Sequence, residues 1–137
     1  MRNLVVVKFN AAAGETAVVH VDENGLEIRV STHMHHCPDH SPQGLAEAIG
    51  AELDNGELDF ALDLQKVRLM GADGWALLLR LRALVVEAGG SIVVVQPSPR
   101  ILKVAEEAQL VRAFHFCDNL SQVRQYFAQD KSDRAPN

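Results

Sequence analysis

One carboxylate, Asp73, stands between Gly71 and Gly74 and directly before a long apolar run that begins at Trp75. The two glycines indicate a turn, and the run from Trp75 to Ala88 has the periodicity of a helix. A carboxylate before a helix accepts hydrogen bonds from the free N–H groups of the first turn, and the helix macrodipole favours its charge. The sequence therefore predicts Asp73 as a helix N-cap that displays a negative charge on a loop. An aspartate at this position has two explanations: it caps the helix and has no other role, or its charge takes part in binding.

A second group of reactive side chains lies in a short polar segment and comprises His33, His35, His36, Cys37 and His40. Imidazole nitrogens and thiolates are the usual ligands of zinc and copper. The spacing differs from standard zinc motifs, and adjacent histidines point apart in an extended chain. The segment therefore predicts a polar surface loop, with a metal site or an acid-sensitive loop as alternatives.

The sequence offers little for catalysis. Cys37 precedes Pro38 in a loop without an evident oxyanion donor, and Cys117 near His115 is typical of core packing. The glycines do not form a phosphate-binding pattern. We therefore predict a protein that is not an enzyme and has no cofactor.

The elements that must position these residues follow from periodicity. Leu4–Phe9, Thr16–Val21 and Leu26–Val30 predict antiparallel strands, with Ser31–His40 as a loop. Later strands are predicted at Leu58–Leu64, Ser91–Val95 and, weakly, Ala113–Phe116.

Helices are predicted between these strands. Ser41-Pro42 and Ser98-Pro99 are typical helix starts, Asn55-Gly56 ends the first helix, and Asp118 or Asn119 can cap the last. Five apolar residues of the Trp75–Ala88 helix are predicted to face the core: Leu77, Leu78, Leu81, Leu84 and Val85. Trp75, Leu79 and Val86 share another line, interrupted by Arg82. They form either a core anchor or a partly exposed contact patch.

Composition and length place these elements in one domain. The chain has 137 residues, 47% hydrophobic and 23% charged, with a net charge of -5, which argues against nucleic acid as the main partner. It has no stretch long enough to insert in a membrane and no signal-peptide pattern, so we expect a cytoplasmic protein with reduced thiols. We predict a single α/β domain over residues 1–128, with a mixed central β-sheet and about four helices packed on it. Residues 129–137 are predicted to be a flexible tail.

From Leu58 onwards the order of motifs resembles the STAS domain, the family of bacterial anti-sigma factor antagonists and of the cytoplasmic tails of sulfate transporters. Phe60–Leu64 is similar to its buried "hLDL" strand, and Leu69–Gly74 occupies the place of its F-M-D-S-S-G loop. Gly89–Arg100 is similar to its G-G-x-h-x-h-x-x-x-S-P-x-h segment, and Leu110–Ser121 to its end. The resemblance covers about the last two-thirds of the chain, and the first forty residues match only in their strand character.

The resemblance implies binding to another protein. In signalling members the second serine of the loop is phosphorylated by a partner kinase that is also an anti-sigma factor, and phosphorylation releases that partner. Aligned by Met70 and Gly74, Asp73 falls on that serine, Ala72 on the serine before it and Gly71 on the family aspartate. Neither Ala72 nor Asp73 can be phosphorylated by a serine kinase, which implies that binding is not switched.

The function expected from this resemblance is a regulator of transcription that binds an anti-sigma factor or a related kinase-like ATPase. Its expected contact residues are Gly71, Ala72, Asp73, Gly74, Trp75 and Leu79. The alternative is a scaffold subunit of a signalling or membrane-transport complex, and a weaker one is a metal or redox sensor using the His33–His40 segment. A homodimer is compatible with either of the first two.

Overall fold

The structure, a computed structural model, describes residues 4–10, 15–22, 27–34, 43–67 and 70–134. These residues form six β-strands, four α-helices and a short 3-10 turn at Leu110–Arg112. In chain order they are β1 (Leu4–Asn10), β2 (Glu15–Val21), β3 (Glu27–Met34), α1 (Gln43–Asp54), β4 (Asp59–Asp63), α2 (Ala72–Glu87), β5 (Ser91–Val95), α3 (Pro99–Glu107), β6 (His115–Cys117) and α4 (Leu120–Arg134).

The strands form one mixed sheet in the order β3-β2-β1-β4-β5-β6. The first three strands pair antiparallel, whereas β1, β4, β5 and β6 run parallel. The fold is therefore the mixed α/β arrangement that the sequence predicts. We call the edge at which the parallel strands end the carboxyl edge, and the edge at which they begin the amino edge.

Alternation along the strands divides the apolar residues between two faces of the sheet. One face carries the larger cluster, in which Phe60 and Leu62 of β4 are buried with Leu45 of α1, Leu78 of α2 and Ile101 of α3. The opposite face is covered by α4, whose Val123 and Phe127 are buried in a second cluster with apolar residues of the strands. Among the described residues, no helix combines the length and hydropathy needed to cross a bilayer.

Two helix starts confirm their sequence signals. Ser98 is the N-cap of α3 with Pro99 next to it, and the backbone N–H of Ile101 donates to Ser98 Oγ at 3.3 Å. At α4, the N–H of Gln122 donates to Asn119 Oδ1 at 2.9 Å. The Gln122 side chain in turn accepts from the N–H of Asp118 at 2.7 Å. These reciprocal bonds satisfy N–H groups that lie at or just before the helix start.

Several boundaries differ from those predicted. Strand β3 continues to Met34, so the prediction of a loop from Ser31 was wrong at its start. Pairing with β2, which places Thr16 opposite His33, extends the strand beyond what local pattern indicates. Residues 35–42, with the rest of that loop and the Ser41-Pro42 start, lie outside the described residues. Strand β6 begins at His115 rather than Ala113, and α4 is helical to Arg134, into the predicted tail.

Candidate functional site

The loop between β4 and α2 is anchored to the carboxyl edge by backbone hydrogen bonds. The N–H of Leu64 donates to the carbonyl of Val95 at 3.2 Å, which continues the β4–β5 ladder beyond Asp63. The N–H of Val67 then donates to the Leu64 carbonyl at 3.0 Å, and the N–H of Gln65 donates to Asp63 Oδ1 at 2.9 Å. The chain therefore turns sharply at the end of β4 and presents the start of α2 at this edge.

Helix α2 begins three residues earlier than predicted. Gly71 is its N-cap, with φ −83° and ψ −178°, and its carbonyl accepts from the N–H of Trp75 at 3.1 Å. Asp73 is therefore the second residue of the first turn, and the prediction that it is the N-cap was wrong. The extended backbone at Gly71 lets the helix start within the loop itself. Residue 73 still lies in the first turn of the helix, where the macrodipole favours an anion.

Gly74 allows the loop to fold back on the helix. A Cβ built at this glycine would lie 2.4 Å from Met70 Cγ, a distance at which the side chain of Met70 would have to move. Met70 itself is partly buried against the main core cluster. Contact between these two residues, four apart along the chain, therefore fixes the loop on the first turn of α2.

Trp75 is a core residue in the structure. Its relative exposure is 6%, and it belongs to the larger apolar cluster. Its indole nitrogen is buried and has no hydrogen-bond acceptor among the described residues. Of its two interpretations, the structure supports the core anchor, which holds the start of α2 against the sheet.

One strip of the exposed surface of α2 is made of apolar residues and follows the helix from its first turn to its last. We call this surface the α2 stripe and define it by five exposed residues of small or aliphatic type: Ala72, Ala76, Leu79, Ala83 and Val86. At about 100° per residue they lie on one side of the helix. Leu79 and Val86 are the largest, with relative exposures of 37% and 50%. The stripe begins at the turn that carries Asp73 and is a surface on which another protein can pack.

One predicted core position of α2 was wrong. Leu78, Leu81 and Val85 are buried and Leu77 is partly buried, as predicted, but Leu84 is 52% exposed. At about 100° per residue Leu84 lies about 60° from Leu81 and on the side away from Val85, so it turns out of the interface with the sheet. Arg80 is exposed and Arg82 partly buried, and both border the stripe.

The histidine-rich segment is only partly described. The backbone of His33 lies in β3 opposite Thr16, near the carboxyl edge. His35, His36, Cys37 and His40 lie outside the described residues, so a metal site in this segment stays a prediction. Because β3 is three strands away from β4 in the sheet, His33 and the start of α2 share an edge but are not neighbours.

Cys117 lies in β6, where it is 2% exposed and packs in the second cluster. Burial raises the pKa of its thiol above the ordinary value of 9.0, and the negative charge of the adjacent Asp118 raises it further. The thiolate is therefore scarce at neutral pH, which makes this cysteine a poor nucleophile. His115 is stacked on Tyr126 with ring centroids 4.1 Å apart.

We expect the thiol of Cys117 to be protected from reagents in the folded protein. In a Cys37→Ser protein, an aromatic disulfide reagent should modify Cys117 at least about a hundredfold more slowly in buffer than in denaturant, because modification requires opening of the core.

The stability of the protein should depend on the protonation of Cys117. Because the pKa of this thiol is raised in the folded state, the folded protein keeps the thiol proton at a pH where the unfolded protein loses it, and the free energy of unfolding should fall as the pH rises above about 9. Denaturant unfolding between pH 8 and 10 measures this fall. In a Cys117→Ala protein this contribution to the pH dependence should be missing. If the free energy of unfolding falls equally steeply with pH in the two proteins, Cys117 is not its cause.

These observations describe a mixed α/β domain with a loop, a helix start and an apolar helix face displayed at one edge of the sheet. A model of the STAS domain family matches residues 39–123, which is more than half of the chain, and the chain belongs to that family. The NMR structure of the protein TM1081 is similar, with a TM-score of 0.55 at 18% identity, over 61% of this chain and 67% of that one. That likeness concerns the fold alone. A search among curated proteins finds no significant match.

The resemblance inferred from the motifs is thus confirmed at the level of the family. Sequence reasoning named Leu79 and Val86 of the α2 stripe as part of a possible contact patch. It did not group them with the exposed alanines, although these alanines lie at helical spacing from them. Sequence reasoning did not predict the contact between Met70 and Gly74. These two residues are four apart in the sequence, and this spacing is the signal that could have indicated that they meet.

Proposed function

We propose that this STAS domain is a regulatory module that binds another protein through the first turn of α2 and the α2 stripe. The observation that carries the proposal is the exposed apolar stripe starting beside Asp73, at the position where signalling relatives bind and are phosphorylated. An apolar surface of this kind is costly to leave in water unless a partner covers it. The proposed partner is an anti-sigma factor or a related kinase-like ATPase, and the domain acts by binding and not by catalysis.

In this proposal Asp73 replaces a switch with a constant charge. An aspartate supplies one negative charge where phosphoserine supplies about -1.5 to -2 and three acceptor oxygens. Ala72 and Asp73 offer no hydroxyl to a serine kinase. The state of the surface is therefore set by the sequence and is partly like that of a phosphorylated relative.

Substitutions at position 73 test the proposal. We expect the neutral Asp73→Ala and Asp73→Asn proteins to bind the kinase-like partner about fivefold more tightly than the wild type, because a negative charge at this position releases the partner in signalling relatives and one exposed charge contributes up to about 1 kcal/mol. Asp73→Ser should bind similarly and should also accept phosphate from the partner. The measurements are pull-down with identification by mass spectrometry, then titration of the identified partner and incubation with ATP.

Two controls separate this result from a helix effect. Denaturant unfolding of each variant measures any loss of stability caused by the change at the first turn of α2. Titration of the folded protein with its partner measures binding and is not affected by such a loss. If the wild type and all three variants bind alike, Asp73 acts only on the helix and a scaffold role is favoured. Recovery of transport subunits in place of a kinase-like ATPase would also favour the scaffold role.

A further inference from the structure

Three ionisable side chains meet between β2 and the end of α1. His20 of β2 is buried, as is Glu52 in the last turn of α1, which is 6% exposed. Glu57 follows that helix: Gly56, at φ +89°, reverses the chain, and the N–H of Glu57 donates to the Glu52 carbonyl at 3.0 Å. This backbone bond places the two glutamates side by side at the amino edge, away from the start of α2.

Both carboxylates point at the same imidazole. Glu52 Oε2 lies 3.1 Å from His20 Nε2, and Glu57 Oε2 lies 3.5 Å from His20 Nδ1. Both oxygens are buried, and neither accepts a hydrogen bond of good geometry from the described residues. Buried carboxylate oxygens normally have such a donor, because losing water without one is costly.

We propose that His20, Glu52 and Glu57 form a binding site for a divalent transition metal of the zinc class. One nitrogen of His20 and one oxygen of each glutamate lie within 4.8 Å of one another. Ligands held at about 2.0–2.2 Å around a tetrahedral zinc ion are about 3.5 Å apart. Because the two carboxylates approach different nitrogens of the His20 ring, these side chains must turn so that both carboxylates meet the ion bound to one nitrogen. Two carboxylates and a neutral imidazole balance the charge of such an ion. Nitrogen and oxygen ligands together favour zinc and its neighbours over magnesium or calcium.

The site has a route to solvent and a structural consequence. The side chain of Glu57 is 20% exposed and forms the rim, so that an ion can enter without unfolding of the core. A bound ion joins β2 to the end of α1, two elements that already contact each other through His20 and Glu52. The site is separate from the α2 stripe, and the inference does not depend on the proposed function.

The experiment measures zinc binding by the full chain, purified without a histidine tag and stripped with a chelator. Every protein carries replacements of the ligands in the histidine-rich segment: H33Q, H35Q, H36Q, C37S and H40Q. On this background, Glu57→Gln and Glu52→Gln remove proposed ligands. Glu47→Gln removes an exposed glutamate of the same helix and is the matched control. Equilibrium dialysis with Zn²⁺ gives stoichiometry and affinity, and thermal unfolding with and without Zn²⁺ gives a second readout.

We expect one Zn²⁺ per chain in the background and Glu47→Gln proteins, with a rise of the unfolding temperature that saturates. Glu57→Gln should weaken binding by about tenfold or more, since even residues that only orient metal ligands change affinity by about 10–100-fold. Absorption of the Co²⁺-loaded protein should report nitrogen and oxygen ligands and should change in the Glu57→Gln protein.

Two results would overturn the proposal. One is the absence of stoichiometric zinc binding once the ligands of the histidine-rich segment are replaced, which would assign any binding by the wild type to that segment. The other is equal affinity of the Glu57→Gln and Glu47→Gln proteins. Because Glu57 is at the rim, its replacement leaves the core intact, and the test stands even if Glu52→Gln prevents folding.

Discussion

Replacing Gly90 with alanine is expected to lower the free energy of unfolding by about 3 kcal/mol, at the upper end of the usual cost of overpacking a protein interior. A Cβ at this residue would lie 2.1 Å from the carbonyl oxygen of Leu58 and 2.9 Å from its carbonyl carbon. These are backbone atoms that cannot rotate away. They belong to the residue before β4, whose carbonyl also accepts from the N–H of Ser91 at 2.9 Å. The added methyl group must therefore separate β5 from β4 at the amino edge.

Denaturant unfolding measures the effect, and Gly50→Ala is its matched control. Gly50 lies within α1, and a Cβ there would meet no atom within 4 Å. Alanine is favoured over glycine in a helix, so this variant should be more stable than the wild type by about 0.5–1 kcal/mol. A Gly90→Ala protein as stable as the wild type would contradict a close contact between Gly90 and the Leu58 backbone.

Replacing Leu79 with arginine is expected to weaken binding of the proposed protein partner by roughly 30-fold while leaving the fold intact. Leu79 is the large residue of the α2 stripe nearest to Asp73, and central apolar residues of an interface often contribute about 2 kcal/mol or more. Since its side chain is 37% exposed, the methylene stem of arginine can cover the same neighbours while the charged end reaches water. Its effect on the free energy of unfolding should stay within about 0.5 kcal/mol.

Leu84→Arg is the matched control for this prediction. Leu84 is 52% exposed on the same helix, but it lies about 140° from Leu79 at about 100° per residue. Both substitutions add the same positive charge to the same helix. The two variants therefore differ only in the face of α2 on which the arginine lies. Titration of the identified partner should show a large loss for Leu79→Arg and a small one for Leu84→Arg. The opposite order would place the interface on the other side of α2 and contradict the proposed docking surface.

Local signals predicted much of the fold, because the forces concerned act between residues close in the chain. The Ser98-Pro99 start of α3, the cap at Asn119 and the strand β4 all appear as expected. Local signals failed where pairing or packing between distant segments decided the outcome. Strand β3 extends to Met34 because it pairs with β2. Leu84 is exposed because the face of α2 that packs on the sheet is narrower than the spacing of the leucines in this helix predicts.

The features of the candidate site also fall into those that the sequence determined and those that depended on tertiary structure. The sequence by itself determined the family and the identity of residue 73, since both depend on the order of residue types: a glycine-bounded loop after an "hLDL" strand, with aspartate in place of serine. Whether Trp75 contacts a partner or the core depended on how α2 lies against the sheet, and the structure places it in the core. The cluster of His20, Glu52 and Glu57 has no sequence motif. It exists because α1 packs across β2 and brings together side chains that are distant in the chain, which only the tertiary structure decides.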